Sequence, residues 1–144
     1  MYLTGSKKHS LDSKVRLTLP AEFRREFDRT VVLLPTKDAL YGFTPEGHRA
    51  YVESMFPDGF KPGDKRQVEL KRYLNGLSIR VDIDSAGRIA LGKVREDVRE
   101  KLGLGQEVMV VGNDDHFEVW NVEAWEKLQA DFAEDFDFLM FGEA

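Results

Sequence analysis

The feature that most constrains this chain is an internal copy. Asp12-Ser13-Lys14-Val15-Arg16-Leu17-Thr18-Leu19 returns 72 residues later as Asp84-Ser85-Ala86-Gly87-Arg88-Ile89-Ala90-Leu91, with Asp, Ser, Arg and Leu in the same frame. The likeness runs past the motif. Val31-Val32-Leu33-Leu34 and residues 40–51 line up with Val108-Met109-Val110-Val111 and residues 117–128, at an offset of 77. An insertion of five residues in the second copy, 77 less 72, accounts for the change. This is one duplicated unit, because solenoid repeats are shorter and more numerous. At 144 residues the chain can bury a core as one domain or as two intimately packed halves, and is too short for two ordinary independent domains.

The local pattern is the same in both copies. Residues 8–11 read as extended chain, and residues 12–15 as a turn, because Asp accepts backbone hydrogen bonds from residues further on and Ser does so more weakly. Arg16-Leu17-Thr18-Leu19 then alternates, with the leucines on one face and Arg16 and Thr18 on the other. Pro20 opens a helix ending near residue 28 whose Phe23 and Phe27 face inward. Residues 30–34 and 40–43 read as strands, and Thr44-Pro45 caps a helix over 45–55. The turn-rich residues 57–64 join the halves. A helix over 65–75 offers Val68, Leu70, Tyr73 and Leu74 for packing and carries Lys65, Arg66, Lys71 and Arg72 on its polar side. The second copy follows with a strand over 78–82, a turn over 84–87, a strand over 88–91 and a helix over about 93–102 stopped by Gly103. Strands over 107–111 and 117–120 come next, and then a helix capped by Asn121. The expected organisation is a first repeat over 1–56, a connecting loop and helix over 57–76, a second repeat over 77–128 and an acidic, aromatic tail over 129–144. Residues 131–141 are expected to form a further helix that docks on something, since Phe136, Phe138, Leu139, Met140 and Phe141 would otherwise make an adhesive surface. Trp120 and Trp125 are read as core or subunit interface.

Charge is distributed unevenly. The chain carries a net −5, yet residues 1–30 hold seven Lys/Arg against four Asp/Glu and residues 61–101 eleven against seven, whereas residues 102–144 hold one against eleven. Both motif copies lie in the basic blocks. An acidic total therefore does not exclude an anionic partner, because screening over roughly 8–10 Å makes the local patch decide. Cysteine is absent, which removes disulfides, thiolate metal sites and a cysteine nucleophile. His9, His48 and His116 have no metal-ligand spacing, so no metal and no cofactor is expected. Neither a signal peptide nor a membrane span is expected, because the N-terminus alternates and no run of 18 apolar residues occurs.

The segment from His9 to Pro20 resembles the first signature of the MraZ family of bacterial transcription regulators, and Asp84-Ser85-Ala86-Gly87-Arg88-Ile89-Ala90-Leu91 resembles its second. Nearly the whole chain takes part, including the two-copy layout. The resemblance implies an α+β, mainly β fold: a duplicated AbrB-like swapped hairpin, or double-split β-barrel, with flanking helices and both units in one chain. It further implies ring-shaped homo-oligomers in the cytoplasm, associated with the nucleoid, that bind double-stranded DNA at short repeated promoter boxes of the division and cell-wall gene cluster. Carried over residue by residue, its DNA contacts fall on Arg16 and Arg88, with Lys14, Lys8 and Lys7 as further cations. Asp12, Ser13, Asp84, Ser85 and Gly87 would hold the turns. Lys14 has no counterpart in the second copy, where Ala86 stands, so the first loop is expected to supply more charge. Two residues depart from the family pattern. Val15 stands where many members have glycine, and Gly92 where proline is usual. A β-branched residue tolerates positive φ poorly, so either the first turn does not require that conformation or its geometry differs.

Other readings compete. An Asp and an Arg four residues apart across a turn can be only an exposed ion pair, worth roughly 0–1 kcal/mol. A non-catalytic ring scaffold or antitoxin-like partner binder would use the acidic, aromatic tail. An enzyme would need Asp12 and Asp84 as a carboxylate pair with one pKa raised. Both sit in similar arginine-bearing turns that favour ionisation, and no phosphate loop or nucleophile motif accompanies them. The expectation is therefore no catalysis and no small-molecule substrate.

Overall fold

The computed structural model describes residues 1–142. In chain order the elements are β1 (Ser6–Ser10), β2 (Arg16–Thr18), α1 (Ala21–Arg24), β3 (Thr30–Pro35), β4 (Leu40–Phe43), α2 (Pro45–Ser54) and α3 (Lys65–Gly76). Then follow β5 (Ile79–Asp82), β6 (Arg88–Ala90), a 3-10 turn (Leu91–Lys93), α4 (Glu96–Lys101), β7 (Glu107–Gly112), β8 (Phe117–Asn121) and α5 (Val122–Phe141).

Six strands form an open antiparallel sheet in the order β1-β7-β8-β4-β3-β5, and β2 pairs with β6 in a separate two-stranded ribbon. Exchanging each strand for its mate in the other copy (β1 for β5, β2 for β6, β3 for β7, β4 for β8) reads the sheet order backwards. The duplication in sequence is thus a pseudo-two-fold in space. Each copy closes one hairpin of its own, β3 with β4 and β7 with β8, while its other strands pair across the copies. β1 pairs with β7 of the second copy, β5 with β3 of the first, and the two short motif strands pair only with each other. The fold is mixed α+β, mainly strands, with helices on its flanks.

The core follows from the alternation. Leu17 and Ile89 are opposite each other in the ribbon and fully buried, and Leu19, Leu91 and Val94 join them. Phe117 on β8 sits between Phe23, with ring centroids 6.3 Å apart and stacked, and Phe27, 5.6 Å away edge-on. Each such burial is worth about 1.5–3 kcal/mol. The ribbon is therefore anchored from below by side chains that alternate with those it presents outward.

Several elements differ from expectation for identifiable reasons. The helix expected over 93–102 starts only at Glu96, because Val94 takes extended backbone to drop into the core. After Pro20 only one regular helical turn forms before tight turns carry Phe27 inward. No residue of α3 is buried. Leu70 and Tyr73 are exposed, Val68 and Leu74 half-buried, and His48 Nε2 on α2 lies 3.0 Å from the Leu74 carbonyl oxygen. The tail is no separate element: α5 runs unbroken from its Asn121 cap, whose side chain accepts from the Ala124 amide at 2.8 Å, to a left-handed Gly142.

Candidate nucleic-acid interface

Both motif turns are built from the same hydrogen bonds. Asp12 Oδ1 accepts from the amides of Lys14 and Arg16, each at 2.9 Å, and Asp12 Oδ2 accepts from Arg16 Nε at 2.7 Å. Asp84 Oδ1 accepts from the amides of Ala86 and Arg88, each at 2.9 Å, and Asp84 Oδ2 from Arg88 Nε at 2.8 Å. Each aspartate amide in turn donates to its own arginine's carbonyl oxygen, at 3.1 Å and 2.9 Å. The carboxylate therefore closes the turn and also fixes the arginine through Nε. Arg16 Nη1 and Nη2 make no hydrogen bond among the described residues, and for Arg88 the nearest carboxylate contact of this edge is Asp12, with Nη1 4.0 Å from Oδ2. The Ser13 and Ser85 hydroxyls make no side-chain hydrogen bond among the described residues, so aspartate holds each turn.

The ribbon register puts the two arginines together. Arg16 is opposite Ala90 and Thr18 opposite Arg88, while the intervening Leu17 and Ile89 point inward. Arg16 and Arg88 therefore share the outward face as diagonal neighbours, roughly 7–8 Å apart by strand geometry. Each is about one-third exposed.

Electrostatics match the geometry. The Arg16 amide, then the Arg16 guanidinium and the Lys14 amide, hold the Asp12 carboxyl below its ordinary pKa despite some desolvation. Arg88 and Ala86 do the same for Asp84. Neither carboxyl is raised, so the pair lacks the protonated member that acid and base chemistry requires. What the arrangement offers is two pre-oriented cationic edges on a two-stranded ribbon.

The two turns differ where the sequence does. Val15 has φ +58° and Gly87 φ +79°, so the first turn does require the left-handed conformation that its valine disfavours. The two departures from the family pattern touch, since a Cβ built at Gly92 would lie 3.6 Å from Val15 Cβ. At the second turn, the absent side chain of Gly87 leaves room for Arg24. A Cβ there would be 2.8 Å from Arg24 Nη1, and Arg24 Nη2 donates to the Ser85 carbonyl at 3.4 Å. Arg24 thus brings a further cation to the second turn. Arg99 of α4 is its counterpart, lining the hollow beside the first turn with Asp12, Ser13 and Val15 while its Nε donates to the Val94 carbonyl at 3.1 Å. Sequence reasoning missed both. Each is a basic residue on the helix after one motif, but it reaches the other repeat's turn, and nothing local records that crossing. Lys7 and Lys8 stand apart, exposed further down β1, on opposite faces of the strand.

The comparisons with known proteins agree with this architecture. The family model described as "MraZ protein, putative antitoxin-like" matches residues 78–138. A transcriptional regulator MraZ from Oenococcus oeni is 31% identical over 134 residues, covering 92% of this chain and 90% of the relative. Relatives of the same name from Corynebacterium jeikeium and Leuconostoc citreum are 30% and 28% identical over 132 and 138 residues, with 92% and 96% of this chain covered. With 31% identity across nearly all of both chains, two motif copies and a swapped-hairpin fold in place, this chain belongs to the family of the transcriptional regulator MraZ.

Proposed function

We propose that this chain is a sequence-specific regulator of transcription that binds double-stranded DNA at short repeated boxes upstream of the division and cell-wall gene cluster, as a homo-oligomeric ring on the nucleoid. One observation carries the reading: Arg16 and Arg88, each locked through Nε by its own aspartate, occupy one outward face of a two-stranded ribbon. The major groove, about 12 Å wide, admits such a ribbon, and an arginine fork can pair with O6 and N7 of guanine or grip a phosphate. Lys14, Arg24 and Arg99 flank the ribbon and suit phosphate contact, with Lys7 and Lys8 as outlying cations.

One subunit makes few such contacts, so tight binding comes from several subunits engaging several boxes at high effective concentration. The test is affinity for duplexes carrying one or three boxes over a series of salt concentrations. Each neutralised phosphate contributes about −0.9 to the slope of log K against log salt, so both affinity and slope grow with box number. Equal affinity and slope for one and three boxes contradicts the multivalent account.

The second reading, a non-catalytic partner binder, is favoured by the apolar residues left uncovered on α5. It predicts no gel shift with any box-bearing duplex.

A further inference from the structure

From Glu126 to Gly142 every residue of the chain is exposed, although Leu128, Phe132, Phe136 and Leu139 recur at spacings of four, four and three along α5. That spacing makes a single stripe down one side of the helix. Asp131 and Asp135, four apart, border it, and residues 128–142 contain acids but no Lys or Arg. A stripe of this kind does not pair with its own copy, because two such helices would face acid to acid.

The face that complements it is on α3. There Leu70 and Tyr73, with Leu77 just past the helix end, exposed and spaced three and four apart, continue the line of Arg66, and Glu69 and Lys65 flank it on one side. The two stripes, residues 128–139 and 66–77, each span about 16 Å at 1.5 Å per residue. α3 carries Lys65, Arg66, Lys71 and Arg72 against the single acid Glu69, the opposite balance to α5, and within one chain α5 packs on β7 and β8 while α3 packs on α2.

We infer that α5 of one copy seats its Leu128-Phe132-Phe136-Leu139 stripe along the Leu70-Tyr73-Leu77 face of α3 in the next copy, with Asp131 and Asp135 set against Lys65 and Arg66. This rests on the homo-oligomeric reading above and gives that assembly its faces. Because donor and acceptor surfaces differ, the contact is head-to-tail, the type that closes rings.

Sedimentation of the full-length chain at micromolar concentration tests it. Wild type sediments as an oligomer. Asp131→Lys with Asp135→Lys, and separately Lys65→Glu with Arg66→Glu, each lower the assembly to monomer with unchanged far-UV circular dichroism. Mixing the two variants restores assembly, since each then supplies the surface the other has lost, and so does combining all four changes in one chain. A wild-type monomer defeats the oligomeric reading and this contact with it. A wild-type oligomer whose charge-reversed variants all assemble as before, or whose mixture stays monomeric, overturns the contact alone. A variant that loses helical signal is replaced by Tyr73→Ala with Leu77→Ala, for which assembly at wild-type strength is equally contradictory.

Discussion

Arg88 Nη1 lies 4.0 Å from Asp12 Oδ2, so the carboxylate that locks Arg16 also faces the arginine of the other repeat. Asp84 has no such second partner among the described residues. The two aspartates are equivalent in their own turns and unequal across the ribbon.

Asp12→Ala is therefore expected to weaken box binding more than Asp84→Ala, because it frees Arg16 and also removes the carboxylate that faces Arg88 Nη1, whereas Asp84→Ala frees Arg88 alone. Each change also removes the hydrogen bonds that close a turn, so a modest loss of stability accompanies it. Thermal melts paired with binding isotherms of the two variants measure both effects. Equal binding losses would contradict the cross-repeat role of Asp12.

Arg24→Ala should act like Lys14→Ala. If both cations meet phosphate, each loss lowers affinity about evenly across sequences and reduces the salt slope by about 0.9. A binding titration over salt reads this directly, and an unchanged slope in Arg24→Ala removes that residue from the interface.

Val15 holds a conformation that costs an L-residue roughly 1–2 kcal/mol, while its half-buried side chain packs on the core. Val15→Gly relieves the first and forfeits the second, so stability should shift by less than about 1 kcal/mol. Gly87→Ala meets the φ of +79° with no packing gain and pushes the flexible end of Arg24 aside, and should be the more destabilising of the two. Denaturant melts of both variants decide the order.

Much of this was legible in the sequence, and the limits were physical. The Asp-to-Arg turns could be read because short polar side chains bonding to nearby backbone act locally. The sheet's pairing of β1 with β7 and β3 with β5 could not, since it depends on contacts across the chain that only the family resemblance implied. Val15 misled local reasoning: propensity argued against positive φ, and the aspartate-held turn prevailed. Composition separates the tail at residue 129, yet no Gly or Pro interrupts residues 122–141, and the helix continues. The His116 cluster went unread because its members meet across β8 and the preceding turn.

That cluster governs a pH dependence. His116 Nδ1 is 2.8 Å from Asp115 and Nε2 2.8 Å from Glu118, which also accepts from Asn113 and Trp120. Burial alone would lower the His116 pKa, but the hydrogen bonds and charges of Glu118 and Asp115 outweigh it and raise it above 6.5. Burial alone would raise Glu118, and the donors around it lower it below 4.5. The raised histidine contributes stability that is full below 6.5 and is lost as pH rises through its folded value. The lowered glutamate contributes above 4.5 and loses it as pH falls through its folded value, where Asp12 and Asp84 add to the acid limb. Melting temperature should therefore be highest between 4.5 and 6.5 as far as this cluster decides it. In His116→Gln the decline on the alkaline side should disappear, and a decline that persists unchanged would assign it elsewhere.

The two ribbon arginines are the centre of the proposed DNA-binding surface. Because Arg16 and Arg88 point outward from a ribbon anchored by Leu17 and Ile89, removing both should leave fold and assembly intact. If they read guanine, each loss costs about 1–3 kcal/mol of binding and relaxes preference at one base. The decisive measurement is the affinity of the Arg16→Ala, Arg88→Ala double variant for a multi-box duplex, taken beside its sedimentation and melting temperature. A folded oligomer that has lost box binding is the predicted result, and a folded oligomer that binds the boxes at wild-type strength would contradict it.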